Sequence, residues 1–173
     1  MFEASLPNAG TQPTSGRPDV VVVGGGGHVG LPLSLVLARA GLRVGIYDTS
    51  ASTVERIRRG EMPFLENGAD ELLTEVLASG RLSVSTRSET VCDVENVIVV
   101  IGTPIDEFLN PSMGIFERAV DDLAPYLADG ALVVLRSTVY PGTTAYVAQA
   151  LADRGRTVDV AFAPERIAEG HAL

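Results

Sequence analysis

The stretch from Val20 to Pro32, VVVVGGGGHVGLP, constrains the fold of this chain more than any other. Four β-branched valines favour a strand, and an unbroken apolar run is typical of a strand that is buried on both faces of a parallel sheet. Ordered glycines lose more conformational entropy than other residues, so four in a row require a structural reason. The stretch therefore predicts either a flexible linker or a turn in which the main chain closely approaches another group.

Short apolar runs and helical patterns alternate along the rest of the chain. Runs rich in valine and isoleucine predict six strands, at 20–23, 43–47, 82–85, 96–101, 131–137 and 158–163. Helices are predicted at about 28–40, 51–59, 68–79, 115–127 and 143–154. Glycines just past these helices are expected to be left-handed, namely Gly41, Gly60, Gly80, Gly130 and Gly155. The alternation predicts an α/β fold with a Rossmann-type, doubly wound, mainly parallel six-stranded sheet and helices on both faces.

Composition limits the class of protein. The chain has 173 residues, enough for one domain, and a formal net charge of −9 that argues against nucleic acid as a partner. No apolar run approaches the roughly 18 residues of a membrane span, so we expect no membrane partner. We predict a disordered tail at 1–18 and a folded domain at 19–173. The single cysteine, Cys92, excludes an internal disulfide and a cysteine-based zinc site, and we expect no metal and a cytoplasmic location.

The end of the glycine stretch reads G-x-G-x-x-G, with Gly25, Gly27 and Gly30 in the three glycine positions and Gly24 in front. A predicted buried strand precedes the motif and a predicted helix follows it, which is the context of a dinucleotide-binding loop. Gly25 would permit the tight turn, Gly27 would let the main chain approach a pyrophosphate, and Gly30 would let the helix pack closely. The alternative is a flexible loop that only joins a strand to a helix.

Asp48 supports the dinucleotide interpretation because it lies 18 residues past Gly30, at the end of the second predicted strand. Its carboxylate would accept hydrogen bonds from the hydroxyls of the adenosine ribose and would repel a 2′-phosphate. The following DTSAST contains no Arg or Lys to offset that repulsion, so the sequence predicts NAD as the cofactor rather than NADP. His28 and Val29 are expected to lie in the loop beside the cofactor.

Three further stretches lie at the carboxyl ends of predicted strands, where ligands bind in open parallel sheets. They are VVIGTPIDE, VLRSTVYPGTT and AFAPERIAEGHAL. In the first, Gly102, Thr103 and Pro104 would turn the chain and place a hydroxyl beside the cofactor. In the second, Ser137 and Thr138 would place two hydroxyls near the nicotinamide half.

In the third stretch, Glu165 and Glu169 are four residues apart and share one face if the segment is helical. Paired carboxylates near a cofactor can serve in acid–base chemistry, although a solvated acidic turn would explain the same residues.

Together, GGGHVGLPLS, IYD, IGTP, STVYPGTT and PERIAEGHAL resemble the nucleotide-sugar dehydrogenases, which include UDP-glucose, GDP-mannose and UDP-N-acetylmannosamine 6-dehydrogenases. The resemblance runs from about Asp19 to the last residue. GTPIDEFLNPSM and RSTVYPGTT are most similar to the branch that oxidises UDP-N-acetyl-mannosamine or -glucosamine. The resemblance implies an oxidation of a UDP-sugar primary alcohol to a carboxylate with two NAD, through a cysteine-bound thiohemiacetal and thioester, in polysaccharide biosynthesis.

Site roles follow from the resemblance, motif by motif. Thr138 would help hold the catalytic water, and Glu165 would act on or through that water during thioester hydrolysis. Glu169 would lie near the nicotinamide or assist proton transfer, and Thr103 would contact the cofactor. Gly24 departs from the family pattern, which usually has an apolar residue there, and this departure is expected to loosen the turn.

A larger departure concerns the nucleophile. The family's cysteine lies in a region beyond Leu173, together with a central helix and a substrate domain, and Cys92 is interpreted as a small packing residue. The chain therefore resembles the N-terminal cofactor-binding part of a dehydrogenase that is homo-oligomeric at full length, and we expect it to be inactive alone. Two other hypotheses remain, a different Rossmann oxidoreductase similar to the β-hydroxyacid dehydrogenases and a stand-alone NAD-sensing module.

Overall fold

The computed structural model describes residues 16–102 and 113–166. These ranges contain six strands and five α-helices, two of which lie between β2 and β3. The strands are β1 (Val20–Val23), β2 (Val44–Tyr47), β3 (Leu82–Ser85), β4 (Asn96–Val99), β5 (Leu132–Leu135) and β6 (Asp159–Phe162). The helices are α1 (Gly30–Arg39), α2 (Ala51–Arg58), α3 (Ala69–Ala78), α4 (Met113–Leu123) and α5 (Thr143–Asp153), with a short 3-10 helix at Ser88–Val91.

All strand pairs are parallel, and the strand order is β3-β2-β1-β4-β5-β6. The chain winds outward from β1 in one direction through β3 and then returns to build the other half from β4. The order therefore reverses between β1 and β4, which opens a crevice at the carboxyl ends of these two strands. The predicted α/β doubly wound sheet is confirmed, and in the described residues it is wholly parallel.

Two apolar layers lie on opposite faces of the sheet, because successive side chains of a strand point to opposite faces. In β1, Val20 and Val22 pack in the layer with α1 and α3, whereas Val21 and Val23 pack in the layer with α4 and α5. All four are at least 95% buried. Burial on both faces explains the run of valines, each of which contributes roughly 1.5–3 kcal/mol.

Several element ends differ from the prediction. Strands β4 and β5 end two residues earlier than expected, because the Ser137 hydroxyl replaces the main-chain ladder: it donates to the Ile101 carbonyl (2.6 Å) and accepts from the Ile101 amide (3.0 Å). Helix α4 ends at Leu123, so Gly130 lies in a later turn rather than at a helix end, although its φ of +80° is left-handed as expected. Cys92 is exposed, so its interpretation as a packing residue is wrong.

The start of the described chain is attached to the sheet by Asp19. Its carboxylate accepts hydrogen bonds from the main-chain amide and the guanidinium of Arg43 at 2.8 and 2.5 Å. The side-chain hydrogen bond from Arg43, more than the accompanying main-chain bond, lowers the pKa of Asp19 to about 2. Residues 1–15 of the predicted tail lie outside the described residues.

Candidate functional site

A cleft of about 490 Å³ opens where the strand order reverses. Pockets for small molecules and cofactors have volumes of about 300–1,000 Å³. The lining of this cleft comes from the ends of β1, β2 and β4 and from one side of α4. Its members are Val23, Gly24, Gly27, Tyr47, Asp48, Thr49, Val100, Ile101, Gly102, Ile115, Arg118, Ala119 and Asp122. The lining includes three of the predicted cofactor-binding residues, Gly27, Asp48 and Gly102.

The turn after β1 depends on Gly24. Its φ is +74°, in the left-handed region that favours glycine. A Cβ at this position would lie 2.1 Å from the carbonyl oxygen of Val100, an impossible distance to a neighbouring main chain. The expectation that Gly24 loosens the turn is therefore wrong. The left-handed residue is Gly24 rather than Gly25, which was predicted to permit the turn.

The next glycines are required for close approach. A Cβ on Gly25 would lie 2.8 Å from Ile46 Cγ2, and one on Gly26 would lie 2.8 Å from Asp48 Oδ2. Gly30 begins α1, and its Cβ would lie 2.6 Å from the carbonyl oxygen of Gly24. The close packing expected at Gly30 is thus present.

Gly27 differs from the others because a Cβ there would meet nothing nearer than the Gly24 carbonyl, at 3.7 Å. It lines the cleft, so a larger side chain would project into space that a ligand can use. Helix α1 has no side-chain cap, and the amides of His28, Val29 and Gly30 make no hydrogen bond to another described residue. Uncapped amides at a helix start suit a phosphate, so the loop fits the pyrophosphate of a dinucleotide.

Asp48 is held by two main-chain amides at the end of β2. Oδ2 accepts from Gly26 at 2.9 Å, and Oδ1 accepts from Ser50 at 2.9 Å. Ser50 in turn caps α2 through Thr53. Because a carboxylate offers about four acceptor positions, Asp48 keeps capacity for two ribose hydroxyls while its orientation is fixed by the glycine loop.

Tyr47 forms part of the cleft beside Asp48. Burial raises the pKa of its phenol, and the carboxylates of Asp122, Asp48 and Glu89 raise it further. The end of the cleft beside Asp48 is therefore electrostatically negative, with contributions from α4 as well as from β2.

The other predicted residues that the structure describes are absent from this lining. His28 is exposed and stacks on Phe64, with ring centroids 4.0 Å apart, and so connects the glycine loop to the segment between α2 and α3. Val29 is half-buried at the start of α1. Thr103, Pro104 and Glu169 lie outside the described residues.

Ser137, Thr138 and Glu165 lie past the carboxyl ends of β5 and β6. The amide of Glu165 donates to the carbonyl of Arg136 at 3.2 Å, which brings the segment after β6 beside the Ser137–Thr138 pair. The Ser137 hydroxyl uses its proton on Ile101, so toward a ligand it could only accept a hydrogen bond.

Sequence reasoning missed the α4 wall of the cleft, whose members are Ile115, Arg118, Ala119 and Asp122. Their spacing of three and four residues was a readable signal, because it marks a second helical stripe beside the buried one. In the described residues, no helix is long and apolar enough to cross a membrane, and no group of His, Cys, Asp and Glu could hold a metal ion.

The reversed strand order, the glycine loop and the fixed Asp48 define a Rossmann-type dinucleotide-binding domain. The family described as UDP-glucose/GDP-mannose dehydrogenase family, NAD binding domain, matches residues 19–173, so this chain belongs to that family and is an NAD-binding domain.

Individual relatives agree with this assignment. A UDP-N-acetyl-D-mannosamine dehydrogenase of Pyrococcus horikoshii is 34% identical over 87% of this chain and 37% of its own length. A UDP-glucose 6-dehydrogenase of Pseudomonas aeruginosa is 33% identical over 86% of this chain and 34% of its own length. The solved UDP-glucose dehydrogenase of Pyrobaculum islandicum has a TM-score of 0.84 and 34% identity, with coverage of 94% and 39%. The chain thus spans a little over a third of the length of these relatives.

Proposed function

We propose that this chain supplies the NAD site of a nucleotide-sugar 6-dehydrogenase that oxidises the primary alcohol of a UDP-sugar to a carboxylate. When NAD is bound, its nicotinamide ring would accept the hydride from the alcohol. The observation that supports the proposal most directly is Asp48, held by Gly26 and Ser50 in a cleft that also exposes Gly27. Family membership favours this function over a β-hydroxyacid dehydrogenase.

Each part of the dinucleotide has a counterpart in the cleft. The Asp48 carboxylate would accept the ribose hydroxyls, and the amides that begin α1 would donate to the pyrophosphate. Gly27 would leave room for the phosphates, and Gly102 would let the chain pass beside the nicotinamide half.

Selectivity for NAD over NADP follows from charge. A 2′-phosphate about 4 Å from Asp48 would be repelled by roughly 4 kcal/mol at an effective dielectric constant of 20, less where salt screens it. The cleft also holds a cation, Arg118, which the local sequence around Asp48 did not reveal. However, the charges that add to the effect of burial and raise the Tyr47 pKa further are carboxylates, so the end of the cleft beside Asp48 favours a neutral hydroxyl.

The test is calorimetric titration of the 173-residue chain with NAD and NADP. We expect NADP to bind at least about tenfold more weakly, because even a screened fraction of the repulsion reaches 1.4 kcal/mol. Asp48→Asn should reduce the difference, whereas Asp159→Asn, which makes the same charge change on β6 away from the cleft, should leave it intact. Equal affinities in the unaltered chain would remove Asp48 from the ribose role.

The proposed catalytic groups are Thr138, Glu165 and Glu169. Thr138 and Glu165 are supported by their positions, because they follow the ends of the adjacent strands β5 and β6. The hydrogen bond from the Glu165 amide to the Arg136 carbonyl joins these two segments. Thr138 would help hold a water and Glu165 would orient or deprotonate it for attack on an acyl group. In a longer protein that carries the nucleophilic cysteine, Glu165→Gln should slow the hydrolytic step more than the first oxidation.

The chain alone should bind NAD without oxidising a nucleotide sugar. Its only thiol, Cys92, is exposed, precedes the amino end of β4 and is not part of the cleft lining, which lies at the carboxyl ends of the strands. Incubation with NAD and a panel of UDP- and GDP-sugars, followed by NADH absorbance, tests this expectation. Steady NADH production that survives Cys92→Ala would show a complete active site within these residues.

Finer parts of the proposal are that the substrate is UDP-N-acetylmannosamine, that the full-length protein is homo-oligomeric, and that it acts in the cytoplasm without nucleic acid or membrane partners. The first is supported by the identity to a UDP-N-acetyl-D-mannosamine dehydrogenase.

A further inference from the structure

Helix α4 presents two different stripes of side chains. One stripe is buried against the sheet and consists of Phe116, Val120 and Leu123. The stripe beside it lines the cleft and consists of Ile115, Arg118, Ala119 and Asp122. Packing in the core accounts for the first stripe but not for the second, in which two apolar residues alternate with a cation and an anion.

The charged residues of α4 are divided in the same way. On the side of α5, Asp121 pairs with Arg154 at 2.5 Å, and Glu117 accepts from the Tyr146 hydroxyl at 2.6 Å. On the cleft side, the side chains of Arg118 and Asp122 make no hydrogen bond or ion pair with another described residue, although both line the cleft. Unlike Asp121 and Glu117, these two charges are therefore not paired with α5.

Asp122 lines the same cleft as Tyr47 and Asp48, which lie at the end of β2. Burial raises the pKa of the Tyr47 phenol, and the Asp122 carboxylate raises it further, in agreement with this position. The guanidinium of Arg118 extends toward the first turn of the helix, with Nη1 3.9 Å from the position of a Cβ on Gly114. A base attached to a ribose at Asp48 would enter the space between Tyr47 and this stripe.

We propose, on the basis of the proposed NAD site, that Arg118 and Asp122 recognise the adenine base of the dinucleotide. The planar guanidinium of Arg118 stacks over the base, and the apolar side chains of Ile115 and Ala119 contact its face. The Asp122 carboxylate accepts an N–H of the 6-amino group. A carboxylate only accepts hydrogen bonds, so it selects a 6-amino purine over a 6-oxo purine, which presents a carbonyl oxygen at the same place.

The test compares NAD with nicotinamide hypoxanthine dinucleotide, in which the 6-amino group of the base is replaced by a 6-oxo group. In calorimetric titration of the unaltered chain, NAD should bind about tenfold more tightly or better, because a hydrogen bond to a charged group is exchanged for a repulsive contact. Asp122→Asn should bring the ratio close to one, since a carboxamide can donate as well as accept. Asp121→Asn, the adjacent residue with the same charge change, should keep the ratio.

Arg118→Gln should weaken both dinucleotides by the same factor of about three, because stacking does not distinguish the two bases. Arg39→Gln, an exposed arginine outside the cleft, should weaken neither. Equal binding of both dinucleotides by the unaltered chain would overturn the inference, whether or not the Asp122 variant folds. If NADP is still rejected in that case, the NAD site stands and only its adenine contacts are refuted. If neither dinucleotide binds, the NAD site and this inference both fail.

Discussion

Replacement of Gly24 by alanine tests the geometry of the glycine loop most directly. The substitution adds one methyl group at a residue with φ +74°, and that methyl group would lie 2.1 Å from the Val100 carbonyl oxygen. A left-handed conformation costs an alanine roughly 1–2 kcal/mol. Relief of the contact would require a shift of about 1 Å between packed main-chain segments, and overpacking of this kind costs typically 1–3 kcal/mol.

The expected loss in free energy of unfolding is therefore about 2–5 kcal/mol. Each kcal/mol lowers the Tm of a domain of this size by roughly 2–4 °C, so Gly24→Ala should melt about 10 °C below the unaltered chain. Thermal and urea unfolding followed by circular dichroism measure both quantities.

Gly60 provides a matched control, because its φ is +77° and a Cβ there would meet nothing within 4 Å. Gly60→Ala carries the cost of the left-handed conformation without the contact, so it should lose only about 1–2 kcal/mol. The difference between the two variants measures the clash with Val100. If Gly24→Ala is no less stable than Gly60→Ala, the proposed close approach of the loop to β4 is refuted.

The remaining predictions use other parts of the fold. Gly27→Val should abolish NAD binding in calorimetry while the chain stays folded, because a Cβ there would meet no atom closer than 3.7 Å and Gly27 lines the cleft; unchanged affinity would reduce the glycines to a linker. Ser137→Ala should lower the free energy of unfolding by about 1–3 kcal/mol, because Ile101 loses both hydrogen bonds that continue β4 past its end; an unchanged urea midpoint would refute that role. Asp19→Asn should lower the Tm at pH 6. Since the pKa of Asp19 is depressed in the folded chain by Arg43, its contribution is present above about pH 4 and is lost as pH falls toward 2. The Tm difference from the unaltered chain should shrink over that range, and a constant difference would exclude the carboxylate as its source.

The sequence by itself predicted the fold class and most of the strands. The runs of valine and isoleucine were readable because strands buried on both faces cannot tolerate polar residues, and the order of β1, the glycine loop and Asp48 is local along the chain. The position of Asp48 beside the glycine loop could be predicted because the spacing of a strand–helix–strand unit fixes which strand ends become neighbours.

Tertiary structure decided what depends on contacts between distant segments. From the sequence, Gly24 was expected to loosen the turn. The structural reason for a glycine there is the Val100 carbonyl, which lies 76 residues further along the chain and therefore leaves no local signal. The sequence predicted a cofactor contact for Ser137, and it could not reveal that the hydroxyl also bonds Ile101, across the β4–β5 boundary. The spacing of Arg118 and Asp122 indicates a second helical stripe but not what it faces, because only the reversal of strand order at β1 and β4 brings that side of α4 into the cleft at the end of β2. Local pattern determines which elements form, whereas the partners of a side chain are determined by where the packed elements meet.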